Sequence, residues 1–180
     1  MTEQKSFVFR QENCVGCEAC TVACQAGNTT DEFITLRDVA QGEKTNNQGV
    51  DVTVFLSQSC HHCEDPICVE KCPVEAIFKR EDGIVYIDDS MCVGCGSCRI
   101  NCPYDAPKLN TRTGKFNKCD MCKDRLDRGE QAFCVTGCPV QVLDIMDIDA
   151  AMSLPGASLS GDGHGDEGTG PQTVFIKLRN

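Results

Sequence analysis

Cys92-Val93-Gly94-Cys95-Gly96-Ser97-Cys98-Arg99-Ile100-Asn101-Cys102-Pro103 places four cysteines within eleven residues in the spacing C-x-x-C-x-x-C-x-x-x-C-P. Three further quartets stand around it. Cys14, Cys17, Cys20 and Cys24 repeat the spacing but are followed by Gln25. Cys60, Cys63, Cys68 and Cys72-Pro73 have four residues before the third cysteine, and in Cys119, Cys122, Cys134 and Cys138-Pro139 the third is delayed by residues 123–133. Together the quartets account for all 16 cysteines of the 180-residue chain.

A cubane iron–sulfur cluster takes four thiolates on different corners. A C-x-x-C-x-x-C loop wraps three of them, and the fourth cysteine of such a run reaches a second cluster. One run therefore demands a partner run, and each quartet is half of a two-cluster module. Gly16, Gly94 and Gly96, with Ala19 and Ser97, suit a backbone that approaches sulfur closely and points N–H groups at it. Zinc ribbons also use paired C-x-x-C units, but have no use for a third cysteine two residues on. A disulfide scaffold would match the cysteine density, yet no secretory signal accompanies it, and such clustering suits a compact inorganic core better than cross-links.

Composition points the same way. Aromatic residues are 6%, Trp is absent and Gly numbers 16, thin material for an ordinary hydrophobic core. Metal ligation offsets that deficit, so the apo chain is expected to be unfolded. The formal charge is −10. Four oxidised [4Fe-4S] clusters on thiolates, each about −2, would take it to about −18, which excludes nucleic acid as a partner. No stretch approaches the roughly 20 apolar residues of a membrane span, so no direct membrane insertion is expected. The first ten residues carry neither an apolar signal core nor a twin-arginine pair, and no export signal is expected there.

Along the chain, strands are expected at residues 6–10 and 84–88, each ending four residues before a quartet, an internal repeat. Residues 33–37 and 50–56 are expected to be strands flanking a polar loop at 41–49. Residues 76–80 and 84–88 are expected to flank an Asp-Gly hairpin turn, and 108–110 and 115–117 to flank Thr113-Gly114. A short helix is expected within 123–133. Residues 153–170, with six glycines and acidic Asp162, Asp166 and Glu167, predict a flexible linker. The alternating residues 173–180 predict a strand or a docking tail.

The succession of quartets, with Cys60-His61-His62-Cys63-Glu64-Asp65-Pro66-Ile67-Cys68, Cys102-Pro103-Tyr104 and Lys118-Cys119-Asp120-Met121-Cys122, resembles the four-cluster iron–sulfur B subunits of the molybdopterin oxidoreductases, those of dimethyl sulfoxide, polysulfide, thiosulfate and tetrathionate reductases among them. The resemblance covers residues 7 to about 148. It implies an α+β fold of two nested ferredoxin-like modules, with short β-hairpins and short helices around four [4Fe-4S] clusters. One module would take residues 1–35 with 119–150, the other 55–118, joined by a connecting hairpin at 36–54 and followed by the linker and tail at 151–180. It implies four ligand sets: Cys14, Cys17, Cys20 with Cys138; Cys119, Cys122, Cys134 with Cys24; Cys92, Cys95, Cys98 with Cys72; and Cys60, Cys63, Cys68 with Cys102.

The resemblance further implies an electron-transfer subunit, non-catalytic by itself. Its partners would be a large catalytic subunit holding a molybdenum bis-pterin, docked near the Cys14 set, and a membrane-anchor quinol-oxidising subunit or soluble donor at the opposite end. The location implied is the cell envelope, by co-export with the catalytic subunit, with the cytoplasm as the alternative. Arg10 stands where the family often has an acidic residue, and the membrane-anchoring helix of longer relatives is not expected here. The rival readings are a free-standing polyferredoxin and a structural zinc module.

Other side chains point to less. His61 and His62 are expected to hydrogen-bond or lie at the surface, since cysteines already complete the ligands, and His164 is expected to be solvated. Lys118, Lys123, Arg125 and Arg128 are expected on a solvated charged helix, paired with Asp120, Asp124 and Asp127.

Overall fold

The computed structural model describes residues 4–28, 34–46 and 48–177. In chain order it forms β1 (Lys5–Phe9), a 3-10 turn (Gln11–Asn13), α1 (Ala19–Asn28), β2 (Asp38–Thr45), β3 (Asp51–Gln58), α2 (Ile67–Glu70), β4 (Ile77–Lys79), β5 (Val85–Ile87) and α3 (Ser97–Ile100). There follow β6 (Lys108–Asn110), β7 (Lys115–Asn117), α4 (Lys123–Leu126), α5 (Phe133–Thr136), β8 (Leu143–Asp147), α6 (Ile148–Met152), β9 (Ala157–Ser158) and β10 (Thr173–Ile176). The architecture is mixed helix and sheet. Three two-stranded hairpins, β2–β3, β4–β5 and β6–β7, accompany one four-stranded sheet of order β8-β1-β10-β9.

That sheet is covered on both faces, which explains the unbroken apolar run Phe7-Val8-Phe9. Successive strand residues point to opposite faces. Phe7, Phe9, Leu143 and Phe175 join the core that contains Cys20, Cys60, Cys119, Cys134 and Cys138, while Val8 and Val174 pack with Ala151 of α6 on the other side. A smaller core of Ile77, Val85, Cys98 and Phe116 supports the second and third quartets.

The elements are short because the cysteine spacing interrupts them. In every quartet the third cysteine is the second residue of a helix: Cys20 in α1, Cys68 in α2, Cys98 in α3 and Cys134 in α5. Three of these helices stop within a turn, because proline after the fourth cysteine offers no N–H and its ring clashes with the preceding turn. After Cys24 stands Gln25, and α1 runs on to Asn28.

The strands at both ends, the β4–β5 turn and the β6–β7 hairpin lie where expected. Two expectations need correction here. Residues 34–37 form no strand, since this segment turns Arg37 inward to donate to Ser57 Oγ at 3.0 Å and Ser59 Oγ at 2.9 Å; Phe33 lies outside the described residues. The expected loop at 41–49 is strand up to Thr45, paired with β3 in the register Gln41↔Phe55. The short helix expected within 123–133 is Lys123–Leu126. The tail forms β10, parallel to β1 through Phe7↔Thr173 and Phe9↔Phe175; residues 178–180 lie outside the described residues. Among the described residues no helix is long and apolar enough to cross a membrane.

Gly94 shows how tightly the β6–β7 turn sits on the third quartet. Its φ is +73°, and a Cβ there would lie 1.9 Å from the Gly114 carbonyl oxygen. Gly114 has φ +70° with nothing near its own Cβ position. Gly114→Ala should therefore cost about 1–2 kcal/mol of left-handed strain, whereas Gly94→Ala must also push the hairpin away and should lose iron. Thermal unfolding and iron content of the two holo-proteins check this; equal effects would contradict it.

Candidate metal centres

The four C-x-x-C loops share one backbone device. The residue before the second cysteine is left-handed in each: Gly16 at φ +68°, His62 at +45°, Gly94 at +73° and Met121 at +60°. Glycine adopts this freely, but a side chain there costs about 1–2 kcal/mol. His62 and Met121 are fully buried, and packing offsets the strain.

The three Cys-Pro turns are equally alike. The residue three after each cysteine, Glu75, Asp105 or Gln141, is left-handed and its N–H donates to the cysteine carbonyl at 3.2 Å in all three. The next N–H turns to sulfur: Ala76 donates to Cys72 Sγ at 3.2 Å and Val142 to Cys138 Sγ at 3.4 Å. Met121 N–H likewise donates to Cys119 Sγ at 3.4 Å. Such bonds favour thiolate over thiol and raise the potential of iron bound to it.

The thiols gather in groups that cross between quartets. One cavity is lined by Cys72, Cys92, Cys95 and Cys98. A second is lined by Cys60, Cys63, Cys68 and Cys102, with Lys118 and Thr169 in its wall. Burial raises the Cys14 thiol and the charges of Cys20, Cys138 and Cys17 raise it further, so these four are electrostatic neighbours. Burial, followed by the charge of Cys134, pushes Cys24 up to about 12, with Cys122 also contributing. Cys119 is held well above its ordinary value by burial and then by Cys24. Among the described residues no three Cys, His, Asp or Glu side chains converge on a point suited to one ion; the thiols face each other across space. Only Cys17 and Cys95 are exposed.

Two buried cations stand among these sulfurs. Lys118 donates from Nζ to Cys60 Sγ at 3.3 Å, to the Cys119 carbonyl at 2.9 Å and to the Val85 carbonyl. Burial alone would lower its pKa, but the charges of Cys60, Cys68 and Cys119 outweigh burial and raise it. Arg37 lies over the Phe7 ring at 4.5 Å and reaches Ser57, whose hydroxyl is 3.4 Å from Cys20 Sγ. Burial would lower Arg37 as well, and Cys134, Cys119, Cys20 and Cys24 raise it. Lys118 is thus not on a solvated helix. Of the other expected pairs only those of Lys123, with Asp124 and Asp120, form; Arg125 and Arg128 both pair with Glu130 instead, and Asp127 pairs with Arg80.

The histidines lie inside. Burial, with His164 and Arg37 nearby, lowers His61 to about 3. His62 is lowered well below its ordinary value by burial and then by Lys118, and its Nδ1 accepts from Val85 N–H at 3.0 Å. The His62 proton therefore sits on Nε2. His164 is buried, stacked on His61 at 4.2 Å and on Phe175 at 5.0 Å, which corrects the solvated expectation. Spacing could not disclose that stack, whose members come from distant parts of the chain.

The donor set fits iron–sulfur clusters: soft thiolates from different quartets line shared cavities, with backbone N–H groups already turned to the sulfurs of Cys72, Cys119 and Cys138, as suits cluster-ligating sulfurs. A model of the 4Fe-4S dicluster domain matches residues 51–148. The chain belongs to this family. The B subunit of the anaerobic dimethyl sulfoxide reductase of Escherichia coli is 39% identical over 156 residues, covering 83% of this chain and 76% of its own. The B subunit of the tetrathionate reductase of Salmonella typhimurium is 43% identical over 127 residues, 69% of this chain and 50% of its own. The B subunit of the polysulfide reductase of Wolinella succinogenes is 38% identical over 150 residues, 82% and 78%. As a 4Fe-4S dicluster protein the chain is an iron–sulfur electron-transfer protein, and the zinc reading falls away.

Lys118→Met removes a buried positive charge beside Cys60. The midpoint potential of the cluster held by Cys60 should fall most, with a smaller fall for the one held by Cys119, because the more negative reduced state loses the larger stabilisation. A reductive titration followed by EPR reads this directly; potentials unchanged in a fully loaded variant would contradict it.

Proposed function

We propose that this chain is the electron-relay subunit of a molybdopterin oxidoreductase complex, carrying single electrons along four [4Fe-4S] clusters to or from a large molybdopterin catalytic subunit. The ligand sets are Cys14, Cys17, Cys20 and Cys138; Cys24, Cys119, Cys122 and Cys134; Cys60, Cys63, Cys68 and Cys102; and Cys72, Cys92, Cys95 and Cys98. The observation that carries this reading is the gathering of thiols from different quartets, with only Cys17 and Cys95 exposed. Three cysteines from one quartet and one from another make the two modules nested, the first quartet with the fourth and the second with the third.

When bound, a [4Fe-4S] cluster gains or gives up one electron at a time. The protein's own work is to hold, insulate and tune. Sixteen cysteines hold the iron. The Ala76 and Val142 amides stabilise Cys72 and Cys138, and Lys118 and Arg37 offset charge between neighbouring sets. The exposed cysteines mark the two ends. Exposed Val15 and Val22 flank Cys17 in sequence, and exposed Val93 and Ile100 flank Cys95. Apolar rims of this kind suit protein partners that bring a redox group close. The catalytic subunit docks at the Cys17 end. A quinol-oxidising membrane subunit docks at the Cys95 end, and the complex lies at the cell envelope.

Anaerobic purification from the native host, with metals counted and companion chains identified, tests the reading. About sixteen irons per chain, molybdenum and a large subunit are expected. Iron without molybdenum or a stable partner would mean a free polyferredoxin instead.

A further inference from the structure

Residues 153–170, expected from composition to be a flexible linker, are held in place: Ala157–Ser158 pair with β10, Asp162 bonds to Gln11 and Lys44, and residues 164–170 fold against the second quartet. The N–H groups of Glu64 and Asp65 donate to the carbonyls of Gly170, at 2.8 Å, and Thr169, at 3.2 Å. Gln172 N–H donates to the His61 carbonyl at 2.9 Å, and His61 Nδ1 meets Thr173 Oγ1 at 2.8 Å. The segment also holds its own shape. Asp166 Oδ1 accepts from the N–H groups of Gly168, Thr169 and Gly170 at 2.8, 3.0 and 3.1 Å. Tyr104, just past Cys102-Pro103, donates its hydroxyl to the Gly165 carbonyl and accepts from Glu167 N–H, both at 3.2 Å.

The result is that Thr169, only 5% exposed, stands in the wall of the cavity shared by Cys60, Cys63, Cys68 and Cys102. Its hydroxyl donates to Cys63 Sγ at 3.3 Å. Among the described residues the only other side-chain hydroxyl lining that cavity is that of Tyr104, which is occupied by the strap.

We propose that residues 161–173 are a redox-tuning strap: clamped over the second-quartet loop, they place the Thr169 hydroxyl on the Cys63 thiolate and so raise the reduction potential of the cluster that Cys63 holds. The proposal rests on the ligand set Cys60, Cys63, Cys68 and Cys102. A donor on a ligating sulfur stabilises the more electron-rich reduced state more than the oxidised one, and a wall of protein in place of water preserves that preference. Thr169 is a positioning residue and takes no part in chemistry itself.

The test is an EPR-monitored redox titration of the full, cluster-loaded chain. Thr169→Val keeps the shape and removes the hydroxyl, and should lower one midpoint potential while leaving the other three in place. Thr169→Ser keeps the hydroxyl and should stay close to the natural value. Should Thr169→Val not assemble, Thr169→Ala read against Thr169→Ser decides the matter by the same shift. The cluster that moves should be the one altered by Cys63→Ser. Four unchanged potentials in a fully loaded Thr169→Val protein, alongside a Cys63→Ser variant that does lose or alter one cluster, would overturn the strap and leave the ligand set standing. A Cys63→Ser variant with all four clusters present and their signals and potentials unaltered would overturn the ligand set itself.

Discussion

Sulfur carrying negative charge inside a protein is costly, and this fold is arranged around that cost. A buried thiol keeps its proton unless something stabilises the anion. Burial is the leading cause that pushes Cys24 and Cys68 up to about 12 and Cys63 and Cys98 up to about 11. Iron displaces those protons, and amide N–H groups and the cations Lys118 and Arg37 share in stabilising the anions. Lys118 reaches Cys60 Sγ and the Cys119 carbonyl at once, so one ammonium serves two quartets.

The same constraint explains why regular structure is so sparse. Each quartet needs a left-handed residue, a helix carrying its third cysteine and, in three cases, a proline that ends that helix within a turn, which leaves strands of only three residues in β4 to β7. Those short hairpins matter by contact, as where the β6–β7 turn leaves no room for a side chain at Gly94. The larger sheet is the scaffold that ties both ends of the chain together, with β1 between β8 and β10. Because β10 sits beside β1, the segment before it passes directly over the second quartet.

Local features were legible in the sequence because they follow from local rules. The quartets, the β6–β7 hairpin at 108–110 and 115–117, and the strand before each ferredoxin-type run can be read from spacing and turn residues. Long-range burial could not be read in this way. Lys118 follows Asn117 and precedes an Asp-bearing quartet, so its context suggests solvent, and only the fold shows it enclosed by Val85, Cys60 and Cys119. Arg37 was hidden within a segment whose apolar residues suggest a strand. His164 lies among glycines and acids, a solvated composition, while its ring partners His61 and Phe175 come from the second quartet and the final strand. In each case the deciding contact is distant in sequence.

The central claim is that each cluster draws its fourth ligand from a different quartet, and the most direct test is a comparison of Cys72→Ser, Cys68→Ser and Cys98→Ser by EPR of the reduced, iron-loaded chain. Cys72 shares a cavity with Cys98, although it stands only four residues from Cys68 in the chain. The account predicts that Cys72→Ser and Cys98→Ser alter the same cluster signal and Cys68→Ser a different one. If Cys72→Ser and Cys68→Ser altered the same signal, the crossing of ligands between quartets would be contradicted.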